Sequence, residues 1–181
     1  MKSPVLLFLV LLLVGGGCVA PKKSAAPSEA EGRLVELMAR RLEVAREVAW
    51  IKFQNDAPVR DPKREAELLA SLTGQAGALG ISPEVAGRFF SAQIRASCRV
   101  QDELIRYWKR GGTLPALPPR DLRHDIRPRL DVLSASLLRE LAEVARTPRP
   151  TGLAAYARET LRSRGFSRPV AGMAAGPLTR L

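Results

Sequence analysis

The sequence is poor in the side chains from which metal centres and hydrolytic triads are built. Its 181 residues contain two cysteines and a single histidine. Structural zinc sites are assembled from cysteine and histidine ligands, and a Ser-His-Asp triad depends on a histidine beside its nucleophile. The composition therefore disfavours a structural zinc site and a triad hydrolase.

Aromatic residues are also scarce, at 5% of the chain, while 46% of the residues are hydrophobic. Few aromatic residues speak against a β-sandwich or barrel, and abundant Leu, Ala, Arg and Glu favour helices. The ordinary apolar fraction excludes wholesale disorder. The length suits one domain that can bury a core without disulfide staples. We therefore predict a single all-α domain.

Residues 1–20 have the pattern of a secretory signal peptide. Lys2 precedes an unbroken apolar run over residues 5–14, which is too short to span a bilayer, and small residues follow. Two cleavage sites compete. Cleavage after Ala20 would release the chain, whereas cleavage before Cys18 is typical of a lipoprotein and would leave that cysteine acylated. We expect an exported chain, either released or attached to a membrane through a lipid on Cys18.

Acidic residues are the minority charge, since 18 Asp and Glu stand against 29 Lys and Arg, for a formal net charge of +11. Strong basicity suggests nucleic-acid binding. However, the basic residues are spread along the chain, and export argues against a nucleic-acid partner. The charge then has two interpretations: a solvated basic surface near an anionic membrane, or an interior cationic pocket for an anionic small molecule.

The rest of the chain predicts four long helices and a short fifth one. Apolar residues recur at helical spacing, and proline or glycine separates the segments. Asp61-Pro62 and Ser82-Pro83 each join a capping residue to a first-turn proline, which marks a helix start. The predicted helices cover residues 32–55, 61–80, 82–110, 121–145 and 153–164. We predict a linker over 21–31, a helical-bundle domain over 32–165 and a flexible Gly/Pro/Ala-rich tail over 166–181.

Polar residues lie where three of these helices should face the core. Arg41 and Lys52 share one helix face, because eleven residues at about 100° each return to within roughly 20° of the start. That face is the apolar stripe of the first helix. The second and third helices carry the other inward polar residues, which are Asp61, Arg64, Glu65, Gln93, Ser97 and Gln101.

Each of these residues has an ordinary explanation. A basic side chain can snorkel to the edge of an apolar face, Asp61 can be a simple N-cap, and Glu65 can favour a first helical turn. Their coincidence on three helices is harder to explain, because buried unpaired cations are very unfavourable. It favours an internal site for a di- or polyanionic small molecule, with carboxylates as natural partners of arginine.

Five segments in a fixed order resemble those of a known family. They are R-L-E-V-A at 41–45, the lysine at 52, D-P-K-R-E at 61–65, F-x-x-Q-I-R-A-S at 90–97 with Gln101, and I-R-P-R-L-D at 126–131. Each is weak alone, but the ordered set is similar to the all-helical chorismate mutases, specifically their secreted or periplasmic branch. The resemblance covers residues 34–145. It implies the chorismate mutase type II bundle, a cofactor-free rearrangement of chorismate to prephenate, and a homodimer.

The resemblance also implies a role for each inward polar residue. Lys52 and Gln101 would act on the ether oxygen of the substrate, and Arg41 and Arg64 would hold its carboxylates. The expected catalytic residues are Lys52, Gln101 and Arg64. The other implied substrate contacts are Arg41, Asp61 through its backbone, Glu65 at the ring hydroxyl, Ser97 at a carboxylate, and Arg127 as a further arginine of the same chain.

A second class of function is open from the residues alone. The chain could be a non-catalytic helical envelope lipoprotein that binds a partner or an anionic ligand through its basic surface. The net charge and Cys18 support this alternative, but it leaves the inward polar residues unexplained. The two functions are distinguished by whether Arg41, Lys52, Arg64 and Gln101 converge on one cavity or face solvent separately.

Overall fold

The computed structural model describes residues 26–118, 120–147 and 152–181. Within these ranges the chain forms six α-helices and no β-strand, so the all-α prediction is confirmed. The helices are α1 (Glu29–Gln54), α2 (Pro62–Ala76), α3 (Pro83–Lys109), α4 (Arg127–Arg146), α5 (Leu153–Ser163) and α6 (Arg168–Ala175). A π-helical turn over Leu122–Ile126 precedes α4, and 3-10 turns over Gly77–Leu79 and Gly176–Arg180 follow α2 and α6. The predicted signal peptide and Cys18 lie outside the described residues.

Capping side chains set the starts of the first three helices. Ser28 and Glu31 form a capping box, in which the Glu31 amide donates to Ser28 Oγ at 3.3 Å and the Ser28 amide donates to Glu31 Oε2 at 2.6 Å. The box starts α1 at Glu29, so the end of the predicted linker belongs to this helix. Asp61 caps α2 and Ser82 caps α3, each before a first-turn proline, as the sequence predicts.

The helix α1 lies at the centre of the bundle and packs against both α3 and α4. Its apolar stripe is buried in the main core. The helices α1 and α3 run in the same direction, because Arg41 contacts Ser97 near their middles and Trp50 contacts Trp108 near their ends. Among the described helices, none is both long and apolar enough to cross a membrane.

The prediction of a flexible tail over residues 166–181 is wrong. These residues form α6 and a 3-10 turn, which pack against α3 and α5. Gln93 of α3 donates its side-chain amide to the Ala174 carbonyl oxygen at 2.9 Å. The segment buries a set of small and aliphatic side chains, which are Val170, Ala171, Ala174, Ala175 and Leu178. Alanine is the best helix former and needs little space. A segment whose composition predicted flexibility therefore forms a packed helix.

Replacing Phe166 with alanine tests the docking of this C-terminal segment. The Phe166 ring is buried in the main core, and the Arg46 guanidinium lies 4.5 Å from its centroid. Deleting a buried phenylalanine side chain costs about 3–5 kcal/mol, so we expect a clearly lower Tm in thermal unfolding. The control is Met173→Ala on the exposed side of α6, which should leave Tm nearly unchanged. Equal Tm values for the two variants would contradict this packing.

Candidate active site

One cleft collects the residues that the sequence predicts to form a site. It lies between α1, α2, α3 and the start of α4, and it holds about 740 Å³ of empty space including its open mouth. The eight predicted site residues all line it, and they are Arg41, Lys52, Asp61, Arg64, Glu65, Ser97, Gln101 and Arg127. Apolar side chains such as Leu68, Ile94 and Leu130 complete the wall. A concave pocket with a few convergent polar groups is the usual form of a small-molecule site.

Arg41 is a buried cation with 4% of its surface exposed. Its Nη1 donates to the Gln93 carbonyl oxygen at 3.1 Å and to Ser97 Oγ at 2.9 Å, while its Nε lies 3.4 Å from Ser134 Oγ. These partners are neutral, and no carboxylate of the described chain forms an ion pair with Arg41. Burial lowers the pKa of Arg41 to about 10, so the guanidinium keeps its charge at neutral pH.

Lys52 is the second buried cation, with 8% of its surface exposed. Its Nζ donates to the Val59 carbonyl oxygen at 2.5 Å. Like Arg41, it has no carboxylate at ion-pair distance within residues 26–118, 120–147 and 152–181. Burial lowers the pKa of Lys52, while the neighbouring charges of Asp61 and Glu65 raise it part of the way back. The ammonium therefore sits close to negative charge without being neutralised by it.

The aspartates of the cleft are paired with arginines. Asp61 Oδ2 accepts from Arg127 Nη2 at 3.0 Å, while Asp61 Oδ1 caps α2 by accepting from the Arg64 amide at 3.1 Å. The Arg64 guanidinium forms an ion pair with Asp131 of α4. These contacts tie the start of α2 to α4 and orient two arginine side chains at the cleft.

Glu65 is held by the guanidinium of Arg60. Arg60 Nε donates to Glu65 Oε1 at 2.7 Å and Arg60 Nη2 to Glu65 Oε2 at 2.6 Å, and the Asp61 amide donates to Oε1 at 3.3 Å. The Arg60 fork holds the pKa of Glu65 below its usual value. Cys98 Sγ lies 3.9 Å from Glu65 Oε1, and burial together with this carboxylate raises the pKa of the thiol.

This pairing leaves an excess of positive charge in the cleft. Asp61, Glu65 and Asp131 each bind an arginine, whereas Arg41 and Lys52 contact neutral groups. Two buried cations without counter-ions are costly in an apolar site. The cleft is therefore complementary to a small molecule that carries two negative charges. In the described parts of the chain, no group of three or more His, Cys, Asp or Glu side chains could hold a metal ion.

Gln101 brings a buried side-chain amide to the cleft from α3. Its side chain is buried, with 5% exposed, and its Oε1 has no hydrogen-bond partner in the described structure. A buried acceptor normally finds a hydrogen-bond donor, so Oε1 can accept from a ligand, whereas donation to a ligand would come from the Nε2 end of the same amide. Gln93 differs from the prediction for inward polar residues, because its side chain turns to α6 and only its carbonyl oxygen supports Arg41.

Sequence reasoning gave no role to three residues that line or support the cleft, which are Arg60, Cys98 and Asp131. Asp131 lies four residues after Arg127 on α4, and this spacing places both on one helix face. Periodicity could therefore have found Asp131. Arg60 lies in the segment between α1 and α2, and no repeat in the sequence predicts where its side chain points.

An all-helical bundle with a cation-lined interior cleft defines the class of the chain as a helical protein with a site suited to a small anion. Comparison with known proteins narrows this class. Residues 29–102 match the family model described as chorismate mutase type II. The secreted chorismate mutase of Mycolicibacterium smegmatis is 29% identical over 133 residues, which span 74% of this chain and 73% of that protein.

Solved structures show the same relationship. The chorismate mutase from Burkholderia phymatum has a TM-score of 0.74 and 33% identity, with 82% of this chain and 95% of that chain covered. The secreted chorismate mutase from Yersinia pestis has a TM-score of 0.73 and 25% identity, with 82% of this chain and 96% of that chain covered. The chain belongs to the all-helical chorismate mutase family. Its similarity to secreted members confirms the branch that the sequence segments indicated, and the type II bundle is confirmed with one helix more than predicted.

Proposed function

We propose that this chain is an isomerase that converts chorismate to prephenate. The observation that carries the proposal is the pair of buried cations, Arg41 and Lys52, which have only neutral partners in a cleft of the chorismate mutase fold. Chorismate is a dianion, so its carboxylates supply the charge that the cleft lacks. In the reaction a carbon–oxygen bond breaks while a carbon–carbon bond forms within the same molecule. The rearrangement needs no second reactant.

The arginines of the cleft bind the two carboxylates of the substrate. Arg41 is held rigidly by Ser97, whose hydroxyl is placed to contact the same carboxylate. Arg64 of α2 and Arg127 of α4 line the same cleft, and each is oriented by a carboxylate of the protein. Holding a flexible dianion in its compact reactive conformer converts binding energy into rate, because the reacting atoms are brought together before the barrier is crossed.

Lys52 and Gln101 stabilise the transition state. As the carbon–oxygen bond lengthens, negative charge grows on the ether oxygen, and donors fixed in a water-poor cavity stabilise that charge strongly. Lys52 supplies a buried ammonium from α1, and Gln101 supplies a buried side-chain amide from α3. The amide is neutral at every relevant pH, so donation at this position does not depend on protonation.

Glu65 and the backbone near Asp61 receive the ring hydroxyl of the substrate. The Arg60 contacts favour the ionised form of Glu65, and a carboxylate is a strong acceptor for a hydroxyl donor. This contact fixes which face of the ring lies against α2. It acts on binding and orientation rather than on the charge that develops at the ether oxygen.

The alternative of a non-catalytic envelope lipoprotein is not favoured. That alternative leaves the inward polar residues free to face solvent in separate directions. Arg41, Lys52, Arg64 and Gln101 instead line one cleft, and the relatives are named as chorismate mutases. Convergence of this kind is expected of a site rather than of a basic docking surface.

A direct assay tests the proposal. The purified protein is mixed with chorismate, and the loss of chorismate absorbance is followed together with the formation of prephenate. We expect saturable conversion without added metal or cofactor. A folded, helical protein that shows no conversion at any substrate concentration would refute the enzymatic proposal, and a binding measurement would then separate a chorismate sensor from a protein without this ligand.

Arg64→Ala should weaken substrate binding more than turnover. The arginine is partly exposed at the cleft wall and oriented by Asp131, so we assign it to positioning a carboxylate. We expect KM to rise by about tenfold or more, the loss typical of a hydrogen bond to a charged group, with a smaller fall in kcat. The control is Arg139→Ala, an exposed arginine of α4 that does not line the cleft. A fall in kcat with KM unchanged would contradict this assignment.

We further propose that the chain is exported and forms a homodimer. Export is supported by the signal-like residues 1–20 and by relatives that are named secreted. The mass of the mature protein distinguishes release after Ala20 from acylation of Cys18. Sedimentation velocity on the purified chain tests the dimer, and a monomer at all concentrations would reject it.

A further inference from the structure

Arg60 is an exposed arginine that binds a carboxylate of the cleft. It lies between α1 and α2, and 62% of its side chain is exposed, yet both ends of its guanidinium fork contact Glu65 at the cleft wall. Ordinary surface ion pairs hold long side chains loosely and contribute little. A two-pronged arginine–carboxylate contact is different, because it fixes the direction in which the carboxylate points.

Glu65 lies between two cations. It lines the cleft together with Lys52, and it also lines a shallow outer groove together with Arg60 and Arg95. Glu65 and Lys52 are close enough to shift each other's pKa, but they form no ion pair among the described residues. The fork of Arg60 therefore competes with Lys52 for the same carboxylate.

We propose that Arg60 is a positioning residue, which holds Glu65 toward the outer groove and so keeps Lys52 free for the anionic substrate. This inference rests on the proposed function of the cleft. Without Arg60, Lys52 is the cation of the cleft whose charge still acts on Glu65, and a partly buried carboxylate that loses its arginine is stabilised by a new cationic partner. An ion pair between Glu65 and Lys52 would remove one of the two charges that make the empty cleft complementary to a dianion.

The other ionisable groups around Lys52 are not expected to form an ion pair with it when Arg60 is replaced. Asp61 of α2 is held by Arg127 of α4 and by its capping contact with the Arg64 amide. Cys98 of α3 is kept in its neutral thiol form, because burial raises its pKa. Glu65 is therefore the neighbour whose release from an arginine would change the charge available at Lys52.

The experiment compares Arg60→Met, Glu65→Gln and the double variant in the full-length protein. For Arg60→Met we expect KM to rise by roughly tenfold, within the range of coupling between contacting residues. Pairing with Glu65 would also raise the pKa of Lys52, so the alkaline fall of kcat/KM should move to higher pH. In the Glu65→Gln background, Arg60→Met should have no further effect, because no carboxylate remains to be held.

Two further variants distinguish the loss of the two-pronged contact with Glu65 from the simple loss of a positive charge. Arg95→Met removes the same charge from the outer groove without touching Glu65, and it should leave KM and the pH profile unchanged. Arg60→Lys keeps the charge but not the fork, and it should give an intermediate KM. The Tm of each variant is measured to show that all are folded.

The proposal is overturned if Arg60→Met leaves KM and the pH profile as they were. It is equally overturned if the same loss occurs in the Glu65→Gln background, or if Arg95→Met reproduces it. These outcomes are distinct from failure of the proposed function, which would show as an absence of conversion by the unsubstituted protein.

Discussion

Replacing Lys52 with methionine should lower kcat by at least about 10²–10³-fold, the cost of removing one fixed donor from a developing oxyanion. The methionine side chain fills similar space without the ammonium, so the packing of α1 is retained. We expect KM to rise as well, since in the proposed complex Lys52 also contacts a substrate carboxylate. Steady-state kinetics on the purified variant measure both effects, and full activity would rule out the mechanism proposed for the cleft.

The same substitution should not destabilise the protein. Burial lowers the pKa of Lys52, which means that folding disfavours the charged form, and this penalty is present at every pH below the lowered pKa. Methionine removes the penalty, so Tm at neutral pH should be at least as high as that of the original protein. Lys63→Met, at an exposed position of α2, is the matched control and should change neither kcat nor Tm. A large fall in Tm for Lys52→Met would instead show that Lys52 stabilises the folded bundle.

Gln101→Glu should make the reaction strongly pH-dependent. A protonated carboxyl donates to the ether oxygen as the amide does, whereas an ionised carboxylate repels the charge that grows there. Above the pKa of the introduced group, kcat/KM should therefore fall by about tenfold for each pH unit, because the active fraction is the protonated one. Activity should return as the pH is lowered through that pKa.

The original protein should show no such fall between acid and neutral pH. The Gln101 amide does not titrate, and the alkaline limit should come from loss of the proton on Lys52 at a pH below that of an ordinary lysine. Gln101→Leu, which has no donor, should be slow at every pH. Gln75→Glu, at an exposed position of α2, should keep the original profile. A flat profile for Gln101→Glu would mean that residue 101 does not face the reacting oxygen.

Helical periodicity explains why so much of the cleft could be predicted. Arg41 and Lys52 lie on the buried stripe of α1, and a side chain on such a stripe must face the neighbouring helices. The same reasoning places Ser97 and Gln101 on the inner face of α3. Asp61 could be placed because a capping residue before proline fixes where α2 begins. Periodicity and capping place seven of the eight predicted site residues, whereas Arg127 was implied by the resemblance of residues 126–131 to the family, and all eight line one cleft.

The ion pairs of the cleft could not be predicted in the same way. Whether Glu65 binds Arg60 or Lys52 depends on how α1, α2 and the segment between them are arranged in space. A sequence pattern gives the face of a helix but not the direction of a long side chain near its end. For the same reason the sequence did not show that Arg41 and Lys52 are the two cations left without carboxylate partners.

The C-terminal segment was mispredicted because its partner is distant in sequence. Composition describes residues 166–181 by themselves, and by themselves they are too short to be stable helices in water. Their stability comes from burial against α3 and α5 and from the contact between Gln93 and Ala174. Such tertiary packing overrides local propensity and is visible only in the folded chain.

The two contacts of Gln93 make the support of Arg41 depend on a helix that is synthesised after the cleft residues. Gln93 contacts Arg41 through its carbonyl oxygen and α6 through its side chain, so the support of the buried Arg41 includes residues that are synthesised after every residue lining the cleft. A chain threaded across a membrane in unfolded form, amino terminus first, would lack this contact until α6 had passed. In such a chain the complete set of contacts around Arg41 would form only after passage across the membrane.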